Sequence, residues 1–155
     1  MKRLLILSVI VLAVVTPRIA LSQCNIRTTP VNFGNYDVFS NTPSDSTGTI
    51  TIGCSADVVK ATVTLSPSST SGTFNPRRMK QSGGKDLLDY NIFSDVARTT
   101  ILGNGSGGTT NIGFKRPTGK PQPWSETISI YGRIPPGQDV STGTYTDILT
   151  ATVDW

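Results

Sequence analysis

Short runs of alternating polar and apolar residues, separated by turn-forming residues, constrain the fold of this 155-residue chain more than any other feature. The alternation is clear in residues 49–54 and 61–65, and it returns in residues 87–93 and 127–134. Successive side chains of a β-strand point to opposite faces, so each run predicts a half-buried strand. Glycine, proline, asparagine and serine cluster between the runs, as in the turns that connect strands.

Two more segments, residues 31–36 and 145–155, also predict strands. In the second, alternation puts Leu149, Ala151, Val153 and Trp155 on one face and polar residues on the other. No stretch after residue 23 has the periodicity of an amphipathic helix. Short strands at this spacing predict an all-β sandwich.

The first 22 residues have the layout of a cleavable signal peptide. Lys2 and Arg3 precede an apolar run, Pro17 follows it, and small residues stand at Ala20 and Ser22. The run is shorter than the roughly 20 apolar residues that a transmembrane helix needs. We therefore predict a signal peptide at 1–22, no permanent membrane anchor, and one exported domain at 23–155, which is 155 less 22, or 133, residues.

Export also changes the charge balance. The chain has 14 Lys and Arg residues against 10 Asp and Glu residues, and losing Lys2, Arg3 and Arg18 with the signal leaves 11 against 10. An excess of one does not indicate nucleic-acid binding. Arg77, Arg78, Lys80 and Lys85 form a basic cluster in sequence, for which a solvated face is the simpler interpretation and an anionic partner the alternative.

Both cysteines, Cys24 and Cys54, lie in the predicted exported domain, where an oxidising compartment favours a disulfide. Closing a loop of this length stabilises a fold by about 3–4 kcal/mol. The chain has no histidine, which excludes a Ser-His-Asp triad, a histidine-ligated zinc site and the commonest general base. The sequence therefore predicts no catalytic residue, no cofactor and no metal site.

Five segments, taken in order along the chain, resemble the spore coat protein U domain, which is the domain of the subunits of archaic, Csu-type chaperone-usher pili. The resemblance extends from Cys24 to Trp155. The segments are Cys24 with Val31-Asn32-Phe33-Gly34-Asn35-Tyr36, Thr49-Ile50-Thr51-Ile52-Gly53-Cys54, Leu88-Asp89-Tyr90-Asn91-Ile92-Phe93-Ser94-Asp95, Tyr131-Gly132-Arg133-Ile134-Pro135-Pro136-Gly137-Gln138, and Gly143-Thr144-Tyr145-Thr146-Asp147.

This resemblance implies an incomplete immunoglobulin-like, pilin-type β-sandwich that lacks its final strand. A periplasmic chaperone fills the open groove of such subunits in transit, and a strand from a neighbouring pilus subunit replaces it at an outer-membrane usher. The implied location is the periplasm and then a surface fibre that serves adhesion and biofilm formation. The implied chaperone and donor-strand groove comprises Gly143, Tyr145, Leu149, Ala151, Val153 and Trp155. Cys24 and Cys54 would join the first two strands, and the tyrosines and phenylalanines would belong to the core.

One departure from the family pattern concerns the donor strand. A polymerising subunit carries an alternating extension before its first cysteine, whereas cleavage after Ser22 would leave only Gln23 there. Three alternatives follow: an acceptor-only subunit at a fibre tip, a non-fibrous coat or surface protein, or cleavage near Ala13 that keeps a short donor. A stand-alone secreted carbohydrate-binding module is the alternative from a different functional class.

Overall fold

The structure is a computed structural model that describes residues 23–119 and 123–155; the predicted signal peptide lies outside these ranges. The described residues form nine strands and no helix, so they contain no helix that is long and apolar enough to cross a membrane. The strands are β1 (Cys24–Thr29), β2 (Ser44–Cys54), β3 (Lys60–Leu65), β4 (Arg77–Gln81), β5 (Leu87–Phe93), β6 (Ile112–Lys115), β7 (Trp124–Ile134), β8 (Tyr145–Thr146) and β9 (Ala151–Asp154).

Two antiparallel sheets enclose one core. The larger sheet has the order β1-β2-β7-β5-β4-β8, and the smaller has the order β6-β3-β9. β2 and β7, each of 11 residues, pair along their whole length and form the centre of the larger sheet. Ile50 and Ile52 of β2 and Val63 of β3 belong to this core, and all three are completely buried. The all-β sandwich that the alternation predicts is confirmed.

The alternation in β2 sets which face of the larger sheet is solvated. Between the buried Ile50 and Ile52, the Thr51 side chain points outward and shares a hydroxyl hydrogen bond of 2.8 Å with Thr127 on β7. Thr29 and Thr49 form the corresponding cross-strand pair, at 2.9 Å, between β1 and β2. Branched hydroxyl residues fit the solvated side of a pleated sheet, and apolar residues fill the other side.

Residues 31–36, predicted as a strand, do not form one. The chain leaves β1 at Thr29 and crosses the inner face of the larger sheet, where Val31 and Phe33 pack against the core. A Cβ atom on Gly132 would lie 2.6 Å from atoms of both side chains, and one on Gly48 would lie 2.7 Å from the Thr29 carbonyl oxygen. The alternating apolar residues here belong to an irregular segment that packs on Gly48 and Gly132, and this segment forms no strand ladder.

Residues 145–155 also differ from the prediction of one continuous strand. β8 pairs with β4 in the larger sheet, whereas β9 pairs with β3 in the smaller sheet. Between them the Asp147 carboxylate accepts hydrogen bonds from the Ser69 hydroxyl at 2.7 Å and from the Ile148 backbone N–H at 2.9 Å. These local bonds hold the chain in an irregular path while it crosses from one sheet to the other.

The predicted basic cluster is also not a single solvated face. Arg77 is completely buried, because its register partner is the buried Tyr90, whereas Arg78 faces outward and pairs with Asp89 at 2.9 Å. The Arg77 guanidinium lies over the Phe74 ring, 5.4 Å from its centre. Its Nε atom has no hydrogen-bond partner in the described part of the chain.

An open cleft between two edge strands

A cleft of about 580 Å3 opens along the side of the sandwich where the two sheets separate. One wall is β1, contributing Ile26, Thr28 and Thr29, followed by residues 30–33. The other wall is residues 147–151, which lead into β9. β1 is an edge strand of the larger sheet and β9 is an edge strand of the smaller one, and the two strands come within 8 Å of each other, between Cα atoms, beside the opening.

The floor of the cleft is the hydrophobic core itself. It is lined by buried side chains from both sheets, which are Ile50, Leu65, Met79, Tyr90, Ile92 and Ile130. Ile148, on the rim of the cleft, is 74% exposed. Apolar surface that remains open to water along two unpaired edges favours association with another strand.

The backbone of the β9 wall has hydrogen-bonding groups directed at the cleft. Thr150 exchanges hydrogen bonds with Ser66: its carbonyl accepts from the Ser66 N–H, and its own N–H donates to the Ser66 Oγ, both at 2.9 Å. In an antiparallel ladder, alternate residues bond to opposite neighbours. The backbone groups of Leu149, Ala151 and Val153 therefore point to the side where the described residues supply no strand.

The β1 wall is fixed at both ends. Cys24 and Cys54 stand directly opposite in the β1–β2 register and are joined by a disulfide, which confirms the predicted pair and its place between the first two strands. At the other end, the Thr49 backbone N–H donates to the Thr29 hydroxyl at 2.8 Å. β1 is therefore joined to β2 at both of its ends.

A polar pair, Tyr90 and Asp147, links the floor of the cleft to its β9 wall. The Tyr90 hydroxyl donates a hydrogen bond of 2.7 Å to Oδ2 of Asp147. Burial, together with this bond to Asp147, raises the pKa of Tyr90 above its ordinary range. Burial acts to raise the pKa of Asp147 as well, but hydrogen bonds from the Ser69 hydroxyl, the Tyr90 hydroxyl and the Ile148 N–H outweigh it and leave that pKa lowered. Asp147 is thus held as a carboxylate.

The structure separates the six predicted groove residues into two groups. Leu149 and Ala151 line the cleft, and Val153 continues the same face of β9 against the buried Val63. The other three lie elsewhere. Gly143 is beside the Gln81 side chain, Tyr145 packs on the core from β8, and Trp155 lies beside residues 57–60 with 56% of its surface exposed. A role in chaperone or donor-strand contact stays a prediction for all six.

From sequence alone, neither the β1 wall nor the Tyr90–Asp147 pair was predicted to belong to the groove. Apolar and polar residues alternate only briefly in β1, so Ile26, Thr28 and Thr29 could not be recognised from sequence as part of a strand. Asp147 follows a predicted strand directly, where an acidic residue normally indicates a turn. Tyr90 was expected in the core, and it is 5% exposed there, with its ring edge-on to Phe33 at 6.0 Å between centres.

Comparison with solved structures shows the fold. A chain in the crystal structure of the CsuC–CsuE chaperone–tip adhesion subunit pre-assembly complex, from the archaic chaperone-usher Csu pili of Acinetobacter baumannii, matches with a TM-score of 0.60 and 24% identity. The match covers 87% of this chain and 40% of that one, so this chain spans less than half of its neighbour's length. The Escherichia coli Hda pilus minor tip subunit, HdaB, matches at 12% identity over 83% of this chain and 79% of that one, with a TM-score of 0.41.

Sequence comparison shows the family. "Protein U" of Myxococcus xanthus is 35% identical over 133 residues, which are 79% of this chain and 70% of that protein. The family model for the Spore Coat Protein U domain matches residues 10–152, nearly the whole chain. The described residues form a pilin-like sandwich whose last strand position is open, which confirms the predicted fold class. The chain belongs to the Spore Coat Protein U domain family.

Proposed function

We propose that this protein is an exported structural subunit of a surface fibre, a chaperone-usher pilus, and that it is assembled by accepting a β-strand from another protein into the cleft. The observation that carries the proposal is the cleft itself, an apolar trough bounded by the unpaired edges of β1 and β9. A strand added at such a site binds in two ways: its backbone pairs with a strand edge, which supplies affinity, and its alternate side chains fill the trough.

The dimensions of the site agree with one added strand. The wall of residues 147–151 continues along β9 to Val153, a length of seven residues, and a strand beside this length would extend about 23 Å and direct three or four side chains inward. Burying that number of apolar side chains, at ~1.5–3 kcal/mol each, yields on the order of 10 kcal/mol. A gain of that size is sufficient to complete the core and to make exchange of the strand slow.

The proposed partners follow from this mechanism. In transit through the periplasm, a chaperone strand would cover the cleft, and at an outer-membrane usher the strand of a neighbouring subunit would replace it. The fold neighbour is a chain from a chaperone–subunit complex of a Csu pilus, which supports this partner class. The role is structural rather than enzymatic, and a place at the tip of the fibre, where no donor strand is required, is one version of it.

A peptide-binding experiment on the exported chain tests the proposal. Blocked seven-residue peptides with alternating leucine and threonine are compared with scrambled peptides of the same composition, by calorimetry and by thermal unfolding. We expect the alternating peptide alone to bind at one per chain and to stabilise the fold by about 2.7 kcal/mol at 100 times its Kd. A stable monomer indifferent to both peptides would overturn the proposal.

Matched variants on β9 locate the binding site in the same experiment. Ala151→Arg places a long charged side chain in the cleft, whereas Thr152→Arg places it on the exposed outer face one residue later. We expect Ala151→Arg to abolish peptide binding and Thr152→Arg to retain it. Equal binding by the two variants would show that the peptide occupies some other surface.

A non-fibrous coat protein of the cell or spore surface is the second candidate. The observation that favours it is the 35% identity with "Protein U", which exceeds the 24% identity with the pilus neighbour. Electron microscopy of cells that express the protein, with antibody labelling, separates the two. Labelled filaments support the pilus subunit, and a continuous labelled layer without filaments supports the coat protein.

A further inference from the structure

Asp147 is the one charged residue among the described residues that line the cleft. The other lining residues are apolar, apart from the tyrosine hydroxyl of Tyr90 and the threonines at 28, 29 and 150. Asp147 lies at one end of the β9 wall and shares the inward-facing alternation of Leu149 and Ala151. A carboxylate at this position is not needed to form an apolar trough, and it distinguishes one end of the trough from the other.

The hydrogen bonds of Asp147 leave one of its oxygens with spare capacity. Oδ1 accepts from the Ser69 hydroxyl at 2.7 Å, from the Ile148 N–H at 2.9 Å and from the Thr70 hydroxyl at 3.4 Å. Oδ2 accepts from the Tyr90 hydroxyl at 2.7 Å. Each oxygen of an ionised carboxylate offers about two acceptor positions, so Oδ2 can take another donor.

No cationic side chain among the described residues donates a hydrogen bond to Oδ2, although the buried Arg77 guanidinium is close enough to attract the Asp147 carboxylate electrostatically. Arg77, the buried cation of the core, donates to the Asn91 side chain and to the carbonyls of Ser66 and Leu102, all neutral groups. The ion pairs among the described residues join Arg78 to Asp89, and Arg98 and Arg133 to Asp45. None of them includes Asp147. Because it lines an open cleft, the carboxylate is accessible to water.

A strand that enters the cleft removes this water. A carboxylate that loses its solvent destabilises the complex unless a charged or hydrogen-bonding partner replaces it. Charge complementarity and the remaining acceptor position on Oδ2 both favour a cation. On the basis of the strand-accepting function proposed above, we propose that the accepted strand carries a lysine or arginine at the position facing Asp147, next to its alternating apolar residues.

This partner chemistry would also fix the direction and register of the strand. An all-apolar strand could slide by two residues or reverse and still bury a similar set of side chains. A single cation at one end pairs with Asp147 in one alignment only. Its aliphatic stem covers apolar surface while its charged end stays at the rim near Asp147 and Tyr90.

The test is a positional scan with blocked peptides on the exported chain. Each inward-facing position of the alternating peptide is replaced in turn by lysine, by norleucine, which keeps the stem without the charge, or by glutamate. We expect one position at which lysine binds about tenfold more tightly than norleucine, and glutamate more weakly than both. This preference should be lost in Asp147→Asn and retained in Asp154→Asn, a matched change on the exposed face of β9.

The outcomes separate this inference from the function on which it rests. If peptides bind in the cleft with no position preferring lysine, or if the preference persists in Asp147→Asn, the cationic partner is wrong and strand acceptance stands. If no alternating peptide binds at all, both are overturned. Circular dichroism and thermal unfolding of Asp147→Asn verify that the variant is folded. If Asp147→Asn does not fold, the scan of the unchanged protein decides. The proposal then requires that lysine binds more tightly than norleucine at one position and that raised salt removes this difference.

Discussion

Nη1 of Arg77 donates a hydrogen bond of 2.8 Å to Oδ1 of Asn91, and both side chains are buried. Nη2 of Arg77 donates to the carbonyls of Ser66 and Leu102, also at 2.8 Å each. One guanidinium thus connects β4 and β5 in the larger sheet with the chain that follows β3 in the smaller one. Burial lowers the pKa of Arg77 to about 10, so the group stays charged at neutral pH.

Loss of this guanidinium should destabilise the fold strongly. Arg77→Ala leaves the carbonyls of Ser66 and Leu102 without this donor, each costing about 1–3 kcal/mol, and leaves the Asn91 amide oxygen with the Ile92 N–H alone, so we expect a loss of about 2 kcal/mol or more. The measurement is urea unfolding followed by tryptophan fluorescence. Arg78→Ala is the neighbouring control, since it removes a half-exposed ion pair worth less than about 1 kcal/mol. Equal losses would contradict the proposed role of Arg77.

The Cys24–Cys54 disulfide should matter most for the β1 wall. Replacing both cysteines by serine should lower the free energy of unfolding by about 3–4 kcal/mol, because the unfolded chain regains the entropy of an open loop. Beyond this global loss, we expect amide hydrogen exchange to accelerate more in β1 than in the central strands β2 and β7. Uniform acceleration across the sheet would show that the disulfide does not hold the edge specifically.

Gly48 and Gly132 should not tolerate a methyl group. A Cβ atom on Gly48 would lie 2.7 Å from the Thr29 carbonyl oxygen, and one on Gly132 would press on Val31 and Phe33 at 2.6 Å. We expect each alanine variant to lose about 1–3 kcal/mol. Gly113→Ala in β6 is the matched control, because no atom lies within 4 Å of its added Cβ. Thermal unfolding measures the difference, and unchanged stability in Gly48→Ala would exclude the close crossing of the chain over β2.

Stability should fall in acid through Asp147. Its pKa is lower in the folded protein than the ordinary value of about 3.9 in an unfolded chain, so the folded state favours the ionised form. This contribution is fully present above about pH 4 and is lost as the pH falls through the folded-state pKa. Asp147→Asn should therefore flatten the dependence of unfolding free energy on pH between about 5 and 2.

The same experiment has an internal comparison. The pKa of Asp45 is also lowered, first of all by its hydrogen bonds from Arg133, so part of the acid dependence should remain in Asp147→Asn. A slope in Asp147→Asn equal to that of the unchanged protein would show that the hydrogen bonds around this carboxylate do not stabilise the fold.

Local alternation predicted the interior strands well because they are half-buried over their whole length. β5 occupies the predicted residues 87–93, and β2, β3 and β7 contain their predicted runs and extend beyond them. Alternation failed at two edge strands, β1 and β6, and at β4, which lies between β5 and β8. β1, β4 and β6 were not predicted, since β4 begins with two arginines of which one is buried, and β6 has only four residues. Burial of Arg77 depends on three acceptors distant in sequence, which no local pattern contains.

The candidate site was predictable in part for the same reason. The β9 wall has a clear alternation, so Leu149, Ala151 and Val153 could be found from sequence. The division of residues 145–155 between two sheets could not, because it depends on the bonds of Asp147 to Ser69 and Tyr90. The β1 wall could not be predicted either, because its role depends on the two ends of the described sequence lying on either side of one opening.

The walls of the cleft come from opposite ends of the described sequence, β1 at its beginning and residues 147–154 at its end. A chain that is made and exported from its N-terminus therefore completes every other part of the sandwich before the second wall exists. A strand that needs both walls would therefore select molecules in which both walls have formed over molecules that lack one. Acceptance of a partner at this position would act as a test of completeness, with incomplete chains left out of any assembly.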